Sequence, residues 1–488
     1  MPTIAIYFIF LIVNLYRSCL FSIATFSTEF SVHMANESNQ DRREFLKASG
    51  LLTGGAILGS LPFTAKASGH PGYHFSVNDT IKVALIGCGG RGTGAAQQAL
   101  STKQNVQIVA MADAFRDRLD ESYQNISNFL TAKNIKSPDG SPKLNVPEDH
   151  KFVGFDAYKQ AMALADVVIL ATPPGFRPSH FEEAVRQSKQ IFMEKPVATD
   201  APGVRRVLAA AEEAKKKKLN VVVGLQRHYQ PSYREMIKRI HDGAIGDIIG
   251  GQVYWVSGGV WHKPRKPNQS EMDYQMRNWY YFNWLCGDHI NEQHIHNIDV
   301  ANWVKKGYPV SCQGTGGRQV RNGKDDGEIF DHHIIDFTYA DGSTINSQCR
   351  HYEGTYSRVD ELFLGTKGKI EGMEKKTSSL VGYNGQPIYT YTAKTDISPY
   401  QIEHDELFDA IAKGQYKFAD AEHGAKSTMT AIMGRMASYS GKTVKWEEAL
   451  NSQIDLFPTT LAWDAMPKSL PDKDGYYQIA VPGKTIAV

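Results

Sequence analysis

The chain has 488 residues, 42% of them hydrophobic, which is more than one core usually supports, so two domains with appended segments are expected. Its 54 Lys and Arg nearly balance 52 Asp and Glu, and the single lysine block, 215–218, falls in a helical pattern where charge is solvated; nothing here calls for a nucleic-acid partner. The five cysteines (Cys19, Cys88, Cys286, Cys312, Cys349) contain no C-x-x-C, which argues against a zinc knuckle or a disulfide framework; Cys312 and Cys349, in strand-like runs, read as unpaired buried thiols, with a disulfide in an oxidising compartment as the alternative.

In chain order, residues 4–16 are an apolar run interrupted by Asn14 and shorter than the roughly 20 residues of a bilayer span. Met34 reads as the natural start, making 1–33 a start-site extension, with a weak membrane anchor as the alternative. Asp41-Arg42-Arg43-Glu44-Phe45-Leu46-Lys47, then an apolar Gly-rich stretch, then Ala65-Lys66-Ala67 have the order of a twin-arginine export signal over 34–67, cleaved after Ala67. The expected location is periplasmic, with only transient membrane contact during export. Residues 68–79 read as a linker.

Residues 81–86 are a run of β-formers ending in Gly87-Cys88-Gly89-Gly90-Arg91-Gly92, and a helical pattern follows. A buried strand turning tightly into a helix N-terminus is a site for a pyrophosphate: Gly87 turns the chain, Gly89 admits the phosphates, and Gly92 lets strand and helix touch. Gly90 and Arg91 complete that cradle. Asp113, ending the next apolar run, is suited to accept hydrogen bonds from adenosine ribose hydroxyls. Its charge would repel a 2′-phosphate, so NAD is favoured over NADP, although Arg116 lies close by.

Residues 166–171 and 189–193 read as further buried parallel strands. Thr172 and Pro173 end the first, at the sheet edge that carries ligands in doubly wound folds, with His180 opening the next helix nearby. Glu194-Lys195-Pro196 ends the second. A lysine beside a nicotinamide can serve as acid or base, and the bond before Pro196 is a candidate for the cis form.

The glycine turn with Asp113, Ala171-Thr172-Pro173 and Glu194-Lys195-Pro196, in that order, resembles the Gfo/Idh/MocA oxidoreductases over roughly residues 81–452. The resemblance implies an α/β architecture: an N-terminal doubly wound Rossmann domain (80–228), then an α+β domain (229–451) on a large, open, mainly antiparallel sheet. It implies that Lys195 bonds substrate and cofactor, and that the chain forms a homodimer or homotetramer. Strands are expected at 248–256, 310–314, 332–339, 344–350 and 360–364, with helices at 231–241, 403–412 and 424–440; 452–488 reads as an extended tail or wrap.

The densest stretch runs from Trp284 to Trp303. On one helix His289, Glu292, His296 and Trp303 would share a face. The resemblance gives His296 the role of catalytic acid/base. Glu292, standing where relatives carry Asp, is expected to orient that imidazole, and His294 stands where many carry Gly. A metal reading gathers Glu292, His296 and His289 or His294, but no H-E-x-x-H signature supports it, and no metal is expected. The aromatic segment from Trp261 to Phe282 offers Arg277, Trp279 and Tyr280, with His294, as substrate contacts or else as interface packing.

The leading expectation is an NAD-dependent oxidoreductase of a sugar or polyol hydroxyl that retains its cofactor after export. An NAD-using, redox-neutral glycosidase or lyase acting through a keto-sugar is the second, and a non-catalytic sugar-binding protein the third.

Overall fold

The computed structural model describes residues 79–394 and 397–488. The twin-arginine segment, its cleavage site and residues 1–33 lie outside the described residues. Among the described helices none is long and apolar enough to cross a membrane.

The N-terminal domain is a six-stranded parallel sheet of β1 (Ile81–Ile86), β2 (Val106–Asp113), β3 (Lys151–Val153), β4 (Val167–Leu170), β5 (Gln190–Met193) and β6 (Val221–Val223), in the order β3-β2-β1-β4-β5-β6. Helices cover both faces, so β1, β4 and β5 are apolar almost throughout. The order reverses between β1 and β4, and a ligand crevice opens beyond their carboxyl ends.

The second domain carries nine strands: β7 (Ile248–Ser257), β8 (Ser311–Gly317), β9 (His332–Thr338), β10 (Thr344–His351), β11 (Arg358–Gly365), β12 (Gly368–Glu371), β13 (Thr377–Gly382), β14 (Pro387–Thr392) and β15 (Val444–Lys445). Their order is β14-β13-β12-β11-β7-β10-β9-β8-β15, antiparallel except for β7 beside β10. Burial alternates along β9 and β10, as expected of a sheet with one face on the core. That face is covered by the helices Ile295–Lys305 and Ala421–Ser440, the latter also packing on the Rossmann helix Ala201–Lys216. Strands β12 to β15 go beyond those expected from the sequence. They are short or polar, and only pairing with a neighbour makes them strands.

Two departures from the sequence expectation concern the stretch 284–303. It is three helices, Asn283–Cys286, His289–Glu292 and Ile295–Lys305, rather than one. Gly287 (φ +74°) and Asp288 (φ +71°) turn the chain, and the buried Asp288 carboxylate accepts from the His289 N–H at 2.5 Å and the Tyr439 hydroxyl at 2.6 Å. His289 and Trp303 do not line the cavity with Glu292 and His296, although Trp303 follows His296 by two turns on the same helix. His289 turns into the core beside His333, and Trp303 stacks on His228 at 4.1 Å. The four described cysteines are free and buried, Cys312 and Cys349 among them.

A buried ion pair ties the end of the Rossmann domain to the sheet. Arg227 donates to Glu361 Oε1 at 2.5 Å, and Tyr233 (2.9 Å) and Asn297 (2.7 Å) complete the carboxylate's shell. Glu361→Ala leaves the buried guanidinium with only Glu374, at 3.6 Å, and is expected to cost about 3 kcal/mol in urea unfolding. Replacing both partners together by apolar residues of similar volume is expected to cost less.

Candidate active site

The crevice beyond β1 and β4 is a cavity of about 640 Å³, within the range of small-molecule sites. Its floor is the glycine turn. Gly87 takes φ +95°, and a side chain there would strike the Ala171–Thr172 backbone within 2.6 Å. A Cβ on Gly92 would lie 1.9 Å from the Gly87 carbonyl oxygen, so only glycine lets the helix Gly90–Leu100 start so close to the strand. At Gly89 and Gly90 a Cβ would meet nothing within 4 Å. That open cradle at a helix N-terminus fits the pyrophosphate of a dinucleotide.

Asp113 ends β2 on the cavity wall, accepting from the N–H groups of Cys88 (2.7 Å) and Phe115 (2.9 Å). Burial raises its pKa against those two donors. Arg116, close in sequence, pairs instead with Asp120 and Glu148, whereas Arg118 lines the cavity. Thr172 Oγ1 lies 3.1 Å from His180 Nδ1, and burial pushes that imidazole down to about 3. His180 is thus a neutral partner for Thr172, with Pro173 beside them on the wall. Arg177 beneath them carries no signal readable from the sequence. Buried, with its pKa lowered to about 10 by burial, it donates to the carbonyls of Leu170 and Thr172, both at 2.7 Å, and holds the end of β4.

Arg91 bends back to Glu194, Nε to Oε1 2.5 Å, with Tyr400 stacked on its guanidinium at 4.7 Å. Burial opposes the guanidinium charge, but Glu194 and Glu403 outweigh it.

The bond between Lys195 and Pro196 is cis. Lys195 Nζ donates to Glu292 Oε1 at 3.2 Å and to the Glu292 backbone carbonyl. His296 lines the same cavity, with Trp255 stacked at 5.9 Å and its Nδ1 without a hydrogen-bond partner. Burial, and then the nearby Lys195 ammonium, hold this imidazole well below its ordinary pKa. The structure thus brings Lys195, Glu292 and His296 to one wall. It differs from the expected pairing in one respect: the Glu292 carboxylate holds the Lys195 ammonium, and its hydrogen bonds do not include His296.

Two expected substrate contacts are corrected. His294 is fully buried, bonded through Nε2 to Ser347 Oγ at 2.8 Å, and Tyr280 is buried in the aromatic cluster behind the wall; neither lines the cavity. The short helices turn His294 toward the sheet, opposite to His296. Trp279 and Arg277 do line it, but the Arg277 guanidinium is committed to Asp117 (2.9 and 3.1 Å) and Asp273 (3.2 Å). Trp261 and Lys263, at the start of the aromatic segment, complete this end together with Trp255 and Gln293, for which the sequence reading named no role. Trp255 was detectable only as one side of an alternating strand. The metal reading also changes: among the described residues, ligand atoms come within reach of one another in Asp288–His289–His333 and in His228–Asp299–His423, not around Glu292 and His296.

A parallel sheet in this order, with an open glycine cradle and an ammonium and an imidazole on the facing wall, defines a dinucleotide-dependent oxidoreductase scaffold. Residues 81–223 match the model of the oxidoreductase family's NAD-binding Rossmann fold, and residues 233–371 match the GFO/IDH/MocA C-terminal domain. Together these span more than half of the chain, which belongs to the Gfo/Idh/MocA family. An inositol 2-dehydrogenase of Rhizobium meliloti (strain 1021) is 25% identical over 341 residues, covering 69% of this chain and 90% of that one. A glycosyl hydrolase family 109 protein of Shewanella pealeana is 24% identical over 233 residues, 45% of this chain and 47% of its own length. The solved scyllo-inositol dehydrogenase from Lactobacillus casei with bound NAD(H) and scyllo-inositol has a TM-score of 0.56 at 17% identity, covering 76% of this chain and 99% of that one. At that identity the likeness is one of fold.

Gly89 has extended backbone (φ −74°, ψ −177°) and open space before it, so valine fits there without disturbing the fold. Gly89→Val is expected to leave the thermal midpoint of the ligand-free protein unchanged while weakening NAD binding at least about tenfold, about 1.4 kcal/mol, by calorimetric titration.

Proposed function

We propose that this chain transfers a hydride between NAD and a hydroxyl-bearing carbon of a sugar or polyol. The observation that carries the reading is the meeting of Lys195, from the end of β5, and His296, from the second domain, on one wall of the cavity above the glycine cradle. When bound, NAD supplies the hydride acceptor at nicotinamide C4.

The protein supplies the proton path and the orientation. Lys195, steadied by Glu292, donates to the substrate oxygen and stabilises the negative charge that grows there as the C–H bond breaks. His296, kept neutral by burial, accepts the hydroxyl proton through the edge of its ring that faces the cavity. The same surroundings make its imidazolium a strong acid, which suits protonation of the alkoxide in the reverse direction. The Trp255, Trp261 and Trp279 rings offer apolar faces to the C–H faces of a sugar ring.

Export by the twin-arginine route, which carries folded proteins, is part of this proposal. Outside the cytoplasm free NAD is scarce, so the cofactor is retained and cycled between two substrates. The glycosyl hydrolase family 109 relative favours a second reading: oxidation, cleavage of a glycoside through the keto-sugar, and re-reduction, with no net NADH.

Protein purified from the exported fraction is expected to release stoichiometric NAD on denaturation. Incubated with a panel of polyols, sugars and glycosides, it should either change nicotinamide absorbance or split a glycoside without net change, which separates the two readings. Binding of sugar with no turnover on any of them would overturn both. Lys195→Met is expected to lower kcat/KM by about 10²–10⁴. Replacing Arg42 and Arg43 together by lysine is expected to trap the chain in the cytoplasm, as read by cell fractionation.

A further inference from the structure

We infer that the C-terminal segment is a cofactor clamp, with Trp463 as the positioning residue that holds the adenosine end of the site closed. The inference rests on the dinucleotide reading above and adds a role for residues that no family match covers, since those matches end at residue 371.

The segment after the helix Trp446–Asn451 has almost no secondary structure of its own, only a bridge between Pro471 and Tyr477. Side chains of both domains hold it at each end. On the Rossmann side, Arg205 donates to the carbonyls of Leu450 (2.5 Å) and Ser452 (2.9 Å), and the Leu456 N–H donates to Asp200 at 2.8 Å. On the far side, Gln275 donates to the Ser469 carbonyl at 2.7 Å, and Arg265 to the Tyr477 hydroxyl at 2.7 Å. A strap fixed at both ends has little freedom in between.

Its middle lies behind the cavity wall. Phe457 packs edge-on to Phe176 at 5.3 Å, and Trp463 packs on Phe155 at 4.6 Å and on Phe115 at 5.0 Å. Phe115, Phe155 and Phe176 themselves line the cavity. Phe115 is two residues beyond Asp113, the carboxylate suited to the adenosine ribose, and Phe155 follows the end of β3. The layers therefore run from cavity to phenylalanine rings to indole to solvent, with Trp463 still 38% exposed on its outer side. The two rings come from separate loops, and Trp463 is the group that bridges them from outside. Arg277 also lies over Phe115, at 4.0 Å, pinned by Asp117 and Asp273. Phe115 thus packs against both a cation from the second domain and the indole of the strap. A rigid wall of this kind lowers the ordering cost of binding and slows escape of the bound group.

The test uses the full chain freed of nucleotide, with ADP-ribose and nicotinamide mononucleotide as probes of the two ends of the cavity. Trp463→Ala is expected to raise the Kd for ADP-ribose about tenfold, about 1.4 kcal/mol, and to speed NAD release, with Kd for the mononucleotide unchanged. Trp463→Phe, which keeps a ring against Phe115 and Phe155, is expected to recover most of the loss. Unaltered ADP-ribose binding in Trp463→Ala would overturn the clamp. So would an equal weakening toward both probes accompanied by a lower thermal midpoint of the ligand-free protein, because that pattern marks a merely structural residue. Failure of the unsubstituted protein to bind either probe would instead overturn the dinucleotide reading on which the clamp stands.

Discussion

The contact between Lys195 and Glu292 is the constraint on which the site depends. The two residues are 97 positions apart, one at the carboxyl end of a parallel strand and the other on a four-residue helix of the second domain. Both side chains are little exposed, and their hydrogen bond joins the two domains at the cavity wall. His296, four residues on, feels the Lys195 ammonium as a like charge. The geometry therefore sets the proton chemistry of the wall: an anchored lysine beside a histidine that burial keeps neutral.

Behind that wall lies a second polar layer that never meets the cavity. Asp288, His289 and His333 are wholly buried, and the Asp288 carboxyl is held well below its ordinary range, burial notwithstanding, by the two imidazoles beside it. Their role on these contacts is architectural. Asp288 interrupts the helix, accepts from the Tyr439 hydroxyl and the Phe330 N–H, and so turns Glu292 and His296 forward while His294 turns back. Gln293, whose amide oxygen lies 2.8 Å from His351 Nε2, is the point where this layer touches the cavity lining.

The two ends of the cavity are built by different means. At the phosphate end the backbone does the work, through an open glycine turn that tolerates no Cβ at Gly87 or Gly92. At the adenosine and sugar ends the surfaces are aromatic and come from loops: Phe115 and Phe155 of the first domain, and Trp255, Trp261 and Trp279 of the second. Loops of this length hold a surface only when something packs behind them. The strap from Leu456 to Tyr477 and the Arg277 ion pairs with Asp117 and Asp273 provide that backing.

What the sequence determined by itself is local. The strand–glycine–helix turn, Asp113 at the end of β2, the cis-capable Lys195-Pro196 and the helix Pro231–His241 depend on neighbours within a few residues, where backbone sterics and apolar periodicity act directly. The tertiary structure alone decided what crosses long separations. It broke the 284–303 stretch at Gly287-Asp288, because a buried carboxylate there found donors in Phe330 and Tyr439 that helical spacing cannot reveal. It gave Glu292 to Lys195 rather than to His296, sent His294 and Tyr280 into the core, and laid a polar, Pro-rich tail across the cofactor wall. In each case the partner is remote in the chain, and burial, charge pairing and ring packing are satisfied only once the two domains have closed on each other.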